Sequence, residues 1–277
     1  MNLSKKYIAL AGEFSKKFIY DKNVKAILLT GSAVKNKADE FSDIDMTIFY
    51  EKGLSKNYFE KIKKEAIDSG GGFYHGDASN GFAVFNIYKG VKIDTGHSTI
   101  AQHEKMMYDY LKEPNMNLDN QLIASGFQIG IPLYGSKYIN KWKRDFNKYP
   151  ALLAKAMVKE NLSFHSKWIM ANMGIKRGEY LWTAEMMLRS FDKMVKVLCG
   201  LNKLYYPGKF KGMDHTIKQM KHKPKEIDKL YKDLFHGDIK KNIYDLNTCI
   251  ERTIDLVEVI MPEINTERTR WLFTWRG

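Results

Sequence analysis

The sequence predicts an α+β chain in which strand signals and helix signals are segregated. Short β-rich runs at 24–30, 44–50, 82–88 and 91–96 are interleaved with helical patterns up to about residue 145. After Tyr149-Pro150 the strand signals vanish and long stretches of helical spacing take over. Segregation of this kind marks α+β rather than alternating α/β architecture. The expected division is a mixed N-terminal domain over 1–145 and a helical C-terminal domain over 146–277.

Lys5 to about Tyr20 has apolar residues at helical spacing and no continuous apolar core. It therefore reads as an amphipathic helix and not as an export signal, which makes the cytoplasm the expected compartment. "VKAILLT" (24–30) has strand length and is broken by Gly31-Ser32, after which "AVKNKADE" has room for a helical turn or two. "IDMTIFY" (44–50) is the next strand. "SKNYFEKIKKEAIDSGGG" is a helix closed by glycines, with Ser55 as its cap. "FAVFNIY" (82–88) and "VKIDTG" (91–96) are joined by Lys89-Gly90, a hairpin signal. Residues 99–113 form a helix ending before Pro114, and 120–134 fits helix or strand equally. Beyond the boundary, helices are expected at about 151–173, 178–201, 224–235 and 239–261, with "YYPGKFKG" (205–212) as a loop. The tail "RTRWLFTWRG" should dock on the body or on a second subunit, so a homodimer is one expectation.

The composition, 44% hydrophobic and 28% charged, is that of a globular protein. No apolar run approaches the roughly 18 residues of a membrane span, so no membrane partner is expected. Cys199 and Cys249 stand in no metal-like spacing and read as free thiols. The net charge of +13 invites a nucleic-acid reading, but only seven of the 45 basic residues are arginine and the lysines are dispersed. The charge serves better to attract anionic substrates such as nucleotides.

Asp43-Ile44-Asp45 is anomalous, because aspartate is a poor strand former. Alternation puts both carboxylates on one face, with Cα atoms roughly 6.5–7 Å apart. Two acids so placed need a counter-charge, and a pair of magnesium ions, bound through carboxylate and phosphate oxygens, supplies it. Asp94, between Ile93 and Thr95, completes a triad if its strand lies beside 44–50. Such a site suits phosphoryl or nucleotidyl transfer. Gly31-Ser32, where a strand turns into a short helix, offers backbone N–H groups and a hydroxyl to phosphate oxygens. It is not a Walker loop. Lys92 and His97, which neighbour Asp94, read as surface or satisfied polar side chains.

Gly31-Ser32, ten residues, Asp43-Ile44-Asp45 within "SDID", and the distant Asp94 resemble the signature of the DNA polymerase β-type nucleotidyltransferase superfamily. The resemblance implies a small mixed sheet with helices and a nucleoside triphosphate, ATP expected, bound with two Mg²⁺. It implies that Asp43 and Asp45 bind metal, that Gly31 and Ser32 bind the triphosphate, and that Asp94 binds metal or activates the acceptor. Many members have glycine four residues after the serine; here Asn36 stands there, a residue that tolerates left-handed backbone. Layout and the stretch 160–209, above all "KRGEY", look most like the aminoglycoside and lincosamide nucleotidyltransferases. That likeness implies a small hydroxylated acceptor and an antibiotic-resistance role. The residues of the helical half allow two readings: Arg177 or Lys209 reaching a phosphate, Glu179 meeting the acceptor and Trp182 and Tyr205 walling the acceptor side, or the same residues as helix caps, solvated charges and core rings. Nucleotide addition to RNA or to a protein side chain is an alternative, and a nucleotide-binding module without turnover is another.

Overall fold

In the computed structural model residues 2–276 are described, and the chain divides into two compact units. A sheet unit comprises Met1–Glu113 and Ile123–Lys148; a helical unit comprises Pro114–Leu122 and Tyr149–Gly277. The architecture is α+β, as the segregated signals predict.

The sheet unit opens with α1 (Leu3–Ile19), β1 (Val24–Thr30), the single turn α2 (Gly31–Val34), β2 (Ile44–Tyr50) and α3 (Lys56–Asp68). Then come β3 (Gly72–Asp77), β4 (Gly81–Tyr88), β5 (Val91–Thr99) and α4 (Ile100–Lys112). After α5 (Leu118–Ile129), which passes from one unit into the other, β6 (Ile131–Tyr134) and α6 (Ser136–Phe146) complete it. The segment 120–134 thus holds both a helix and a strand. The expected caps are in place: Ser55 Oγ accepts from the Tyr58 N–H, and Thr99 forms a capping box with Gln102. Lys89 and Gly90 both adopt positive φ, 52° and 77°, as a tight hairpin turn requires.

Six strands form one mixed sheet in the order β3-β4-β5-β2-β1-β6. Only the central β2–β5 pair is parallel, with Asp45 opposite Asp94. One face carries Ile27, Leu29, Ile44, Met46, Ile48 and Ile93 against Tyr7, Leu10, Phe14 and Phe18 of α1. Further along that face, Phe59, Ile62 and Ala66 of α3 cover Phe82 and Val84. On the opposite face Phe49 packs against His103, Phe127 and Trp142, with ring centroids 4.8–6.0 Å apart. The opposite face is therefore covered at the Phe49 end of β2, while β2 begins, at its other end, beside the acids.

His103 gives this core a pH dependence. It is buried among Phe49, Phe127 and Trp142, its Nε2 has no hydrogen-bond partner, and burial lowers its pKa to about 4. The unfolded chain therefore takes up a proton near pH 6.5 that the folded chain refuses. This contribution to stability is complete above pH 6.5 and is lost as the pH falls toward 4, at up to about 1.4 kcal/mol per pH unit. Replacing His103 by Phe keeps a ring among rings, and should flatten stability against pH between 4 and 6 by about 1 kcal/mol per unit. Denaturant titrations at several pH values check this; an unchanged slope would assign the acid sensitivity elsewhere.

The helical unit contains α7 (Ala151–Asn161), α8 (Tyr180–Asn202), α9 (Met213–Gln219), α10 (Ile227–Asp233), α11 (Ile239–Ile260) and α12 (Glu267–Thr274). The helix expected over 151–173 is broken: α7 ends at Asn161, an irregular stretch follows, and Ile169–Gly174 is a π-helical turn running into a 3₁₀ turn at Ile175–Arg177. The π-helical turn ends on Gly174, where a Cβ would lie 2.2 Å from Thr183 Oγ1 of α8, so the residue there must lack a side chain. The tail docks on its own unit. Trp275 meets Trp168 edge-on, Thr269 donates to the Leu162 carbonyl at 2.6 Å, and Arg270 clamps Glu258 and Asp255. Cys199 and Cys249 are free and buried, and burial pushes the Cys249 thiol up to about 12. Among the described residues, no helix is long and apolar enough to cross a membrane.

Candidate metal and nucleotide site

The acids gather because three backbone features meet at one end of the sheet. Parallel pairing sets Asp45 opposite Asp94, antiparallel pairing sets Thr30 opposite Asp45, and Asp43 lies two residues before Asp45, just ahead of the first residue of β2. Asp43, Asp45 and Asp94 each offer a carboxylate oxygen, and these oxygens lie within 4.8 Å of one another. All three side chains are half-buried. The donor set, all carboxylate oxygen, is the kind that hard divalent cations take.

Gly31 stands against this cluster. Its φ is +81°, and a Cβ built on it would fall 2.0 Å from Asp45 Oδ2. The position excludes a side chain on two independent grounds, backbone conformation and contact with a candidate ligand. Next to it, the Ser32 hydroxyl is buried and has no hydrogen-bond partner. Thr30 caps α2 without a side-chain hydrogen bond. The loop is closed by its own backbone, with Lys37 N–H donating to the Ser32 carbonyl at 3.0 Å. Asn36 adopts φ +55°, the left-handed conformation that a glycine would otherwise supply. Ser42 accepts from the Asp39 N–H at 3.1 Å and donates to its carboxylate at 2.8 Å, which shapes the turn that delivers Asp43.

Two residues beyond the expected set complete the cluster. Lys92 Nζ donates to Asp94 Oδ2 at 2.8 Å and lies 3.4 Å from Asp43 Oδ2. Tyr74 OH donates to Asp94 Oδ1 at 2.8 Å. Partial burial opposes the Lys92 charge, but the hydrogen bonds to Asp94 and Tyr74 outweigh it and raise its pKa. The Lys92 position was open to inference, since two residues along a strand share a face. Tyr74 was hidden because β3 falls in a glycine-rich stretch, "GGGFYHGD", that carries no strand signal. His97 lies three residues from Asp94 and so faces the other way. It is buried, stacked on Phe82 at 4.3 Å and hydrogen-bonded to Tyr50 OH at 2.8 Å, and burial lowers its pKa to about 3.

Beside Asp45 and Asp94 opens a cleft of about 210 Å³, lined also by Thr30, Thr47, Ala83 and Gly96. The structure thus brings together Gly31, Ser32, Asp43, Asp45 and Asp94 in the sheet unit. Arg177, Glu179, Trp182, Tyr205 and Lys209 belong to the helical unit. Arg177, Glu179, Trp182 and Lys209 are exposed there. Tyr205, expected on the acceptor side, is only 2% exposed and packs on Tyr149 at 4.7 Å, so its ring is part of that unit's core.

Residues 13–75 match the polymerase beta nucleotidyltransferase family. The match takes in Gly31, Ser32, Asp43 and Asp45 and ends before Asp94, so the N-terminal part of the chain carries a nucleotidyltransferase domain. Among solved structures, the chain is similar to a nucleotidyltransferase-like protein from Exiguobacterium sibiricum 255-15. The two are 8% identical with a TM-score of 0.41, over 95% of this chain and 79% of that one. No curated protein matches the chain.

Proposed function

We propose that the chain is a magnesium-dependent nucleotidyltransferase that moves a nucleoside monophosphate from a nucleoside triphosphate, ATP expected, to a hydroxyl of a small acceptor. The observation that carries this reading is the convergence of Asp43, Asp45 and Asp94 within 4.8 Å, against a glycine that cannot carry a side chain. The all-carboxylate donor set suits divalent magnesium, two ions in this reading, which when bound would neutralise charge on the phosphate oxygens. Asp43 and Asp45 would hold them. Gly31 lets the triphosphate approach the backbone, and the unpartnered Ser32 hydroxyl supplies a hydrogen bond to it. The acceptor hydroxyl releases its proton to water as its oxygen forms a bond to the α-phosphorus in line, the bond to the β-phosphate breaks, and pyrophosphate leaves with the electron pair. Asp94 has both oxygens engaged, by Lys92 and by Tyr74, which suits an oriented cation ligand better than a group that collects the acceptor's proton.

The cleft beside Asp45 and Asp94 admits the reacting part of the acceptor, and its Thr30 and Thr47 hydroxyls suit a hydroxylated group. The acceptor class we propose is the aminoglycoside or lincosamide type. Arg177 and Lys209 are proposed to assist the triphosphate, and Glu179 and Trp182 the acceptor. Nucleotide addition to RNA is the second reading, favoured by the net charge of +13. Incubation of the purified chain with each triphosphate, Mg²⁺, aminoglycosides, lincosamides or RNA separates these readings by product mass. A monophosphate adduct on a drug with pyrophosphate release is expected. Adducts on RNA alone select the second reading, and triphosphate binding without any product would overturn both.

A further inference from the structure

Lys92 occupies a position that a surface lysine has no reason to hold. Its ammonium reaches in between two members of the acid cluster, 2.8 Å from Asp94 and 3.4 Å from Asp43. The same ammonium lies over two aromatic rings, with Nζ 5.6 Å from the Tyr74 centroid and 5.5 Å from that of Phe85. The side chain is 38% exposed, and its contacts to Asp94 and to the two rings fix where its ammonium sits. Asp94 is fixed from its other oxygen by Tyr74. The two contacts of Lys92 are unequal: the one to Asp94 is short, and the one to Asp43 is long.

We propose that Lys92 is the built-in counter-ion of the acid triad: it holds Asp43 and Asp94 together before a divalent ion arrives, and must yield Asp43 for the ion to bind. This rests on the metal-binding reading above and adds a threshold to it. Like-charged carboxylates this close destabilise one another unless a cation lies between them. A lysine supplies that cation permanently, and so it competes with any metal for the same oxygens. A free ion meets this competition alone, whereas an ion delivered with a triphosphate gains contacts at Gly31 and Ser32 as well. Lys92 thereby raises the threshold that any ion must clear, which the metal–nucleotide complex clears through its added contacts. The weaker contact to Asp43 is the one released, and the bond to Asp94 persists to keep that carboxylate oriented. Lys92 is a positioning residue in this scheme.

The test is Mn²⁺ titration of the full-length protein without nucleotide, followed by the loss of free-ion EPR signal, together with thermal unfolding in EDTA and in saturating Mn²⁺. Lys92→Met should bind Mn²⁺ about fivefold more tightly than wild type, a figure discounted for the partial exposure of the site. It should also melt lower than wild type in EDTA and gain more from Mn²⁺. Lys92→Arg should restore wild-type values in both. A purely structural lysine would lower the melting temperature equally with and without the ion. Lys92→Gln gives the same comparison if the methionine variant does not fold. Mn²⁺ binding by wild type that is unchanged or weakened in the neutral variants would overturn the proposal and leave the nucleotidyltransferase reading standing. No Mn²⁺ binding by wild type, with or without triphosphate, would remove both.

Discussion

Asp43→Asn and Asp45→Asn should each lower the rate of pyrophosphate release at least about a thousandfold, and the protein should stay folded. Asparagine keeps the shape of the side chain and removes the charge, so the change isolates electrostatics from packing. Asp45 lies on β2 and Asp43 just ahead of it, both half-buried, and Ile44 and Met46 anchor the strand from its opposite face. The fold therefore does not depend on the carboxylates, and circular dichroism should be indistinguishable from wild type. Turnover with both acids replaced in a folded protein would mean that the cluster is a surface feature. Asp94→Asn is a subtler change, because Asp94 is tied to Lys92 and Tyr74. It should reduce activity and also free Lys92, so its effect on metal affinity reports two terms of opposite sign.

The sequence made this cluster legible because it uses short-range rules. Alternation along a strand places Asp43 with Asp45, and a hairpin signal at Lys89-Gly90 delivers the strand that carries Asp94. The parallel pairing of β2 with β5 was not readable, since it depends on the crossover formed by α3, β3 and β4. β3 itself was missed: two glycines precede it, a third opens it and a fourth interrupts it, and its burial pattern is mostly exposed, so no alternation marks it. With it went Tyr74. Lys92 was readable in position but not in role, because a lysine near acids is usually a solvated partner of little consequence.

In the helical half the legible features were the long amphipathic runs of α8 and α11. The breaks were not legible. Nothing in "NLSFHSKWIMANMG" announces that α7 stops at Asn161 or that a π-helical turn follows, because apolar residues recur through the break and no proline or glycine marks it before Gly174. The left-handed Asn36 is the reverse case. Its replacement of a glycine raised a question about loop shape, and its φ of +55° answers it: the loop keeps the conformation and accepts the modest cost of an asparagine there.

Gly31→Ala should lose activity by about a hundredfold or more while the protein stays folded, and the cause can be separated from general damage. The substitution has two costs. An alanine at φ +81° is strained by about 1–3 kcal/mol, which lowers the melting temperature. Its Cβ also lands 2.0 Å from Asp45 Oδ2 and 3.0 Å from Cγ, and the movable partner there is the end of the Asp45 side chain. The carboxylate must swing away, so the metal cluster loses one of its three members even though every acid is still present. Gly96→Ala is the matched control. Gly96 also lies at the site, on β5 opposite Thr47, but its added Cβ meets nothing closer than 3.8 Å. That variant should melt like wild type and bind Mn²⁺ like wild type, with any loss confined to acceptor KM because the methyl group enters the cleft. Measuring melting temperature, Mn²⁺ affinity and pyrophosphate release for both variants distinguishes the two effects. If Gly31→Ala bound Mn²⁺ with wild-type affinity, Asp45 would not be a ligand, and the glycine would be there for its backbone alone.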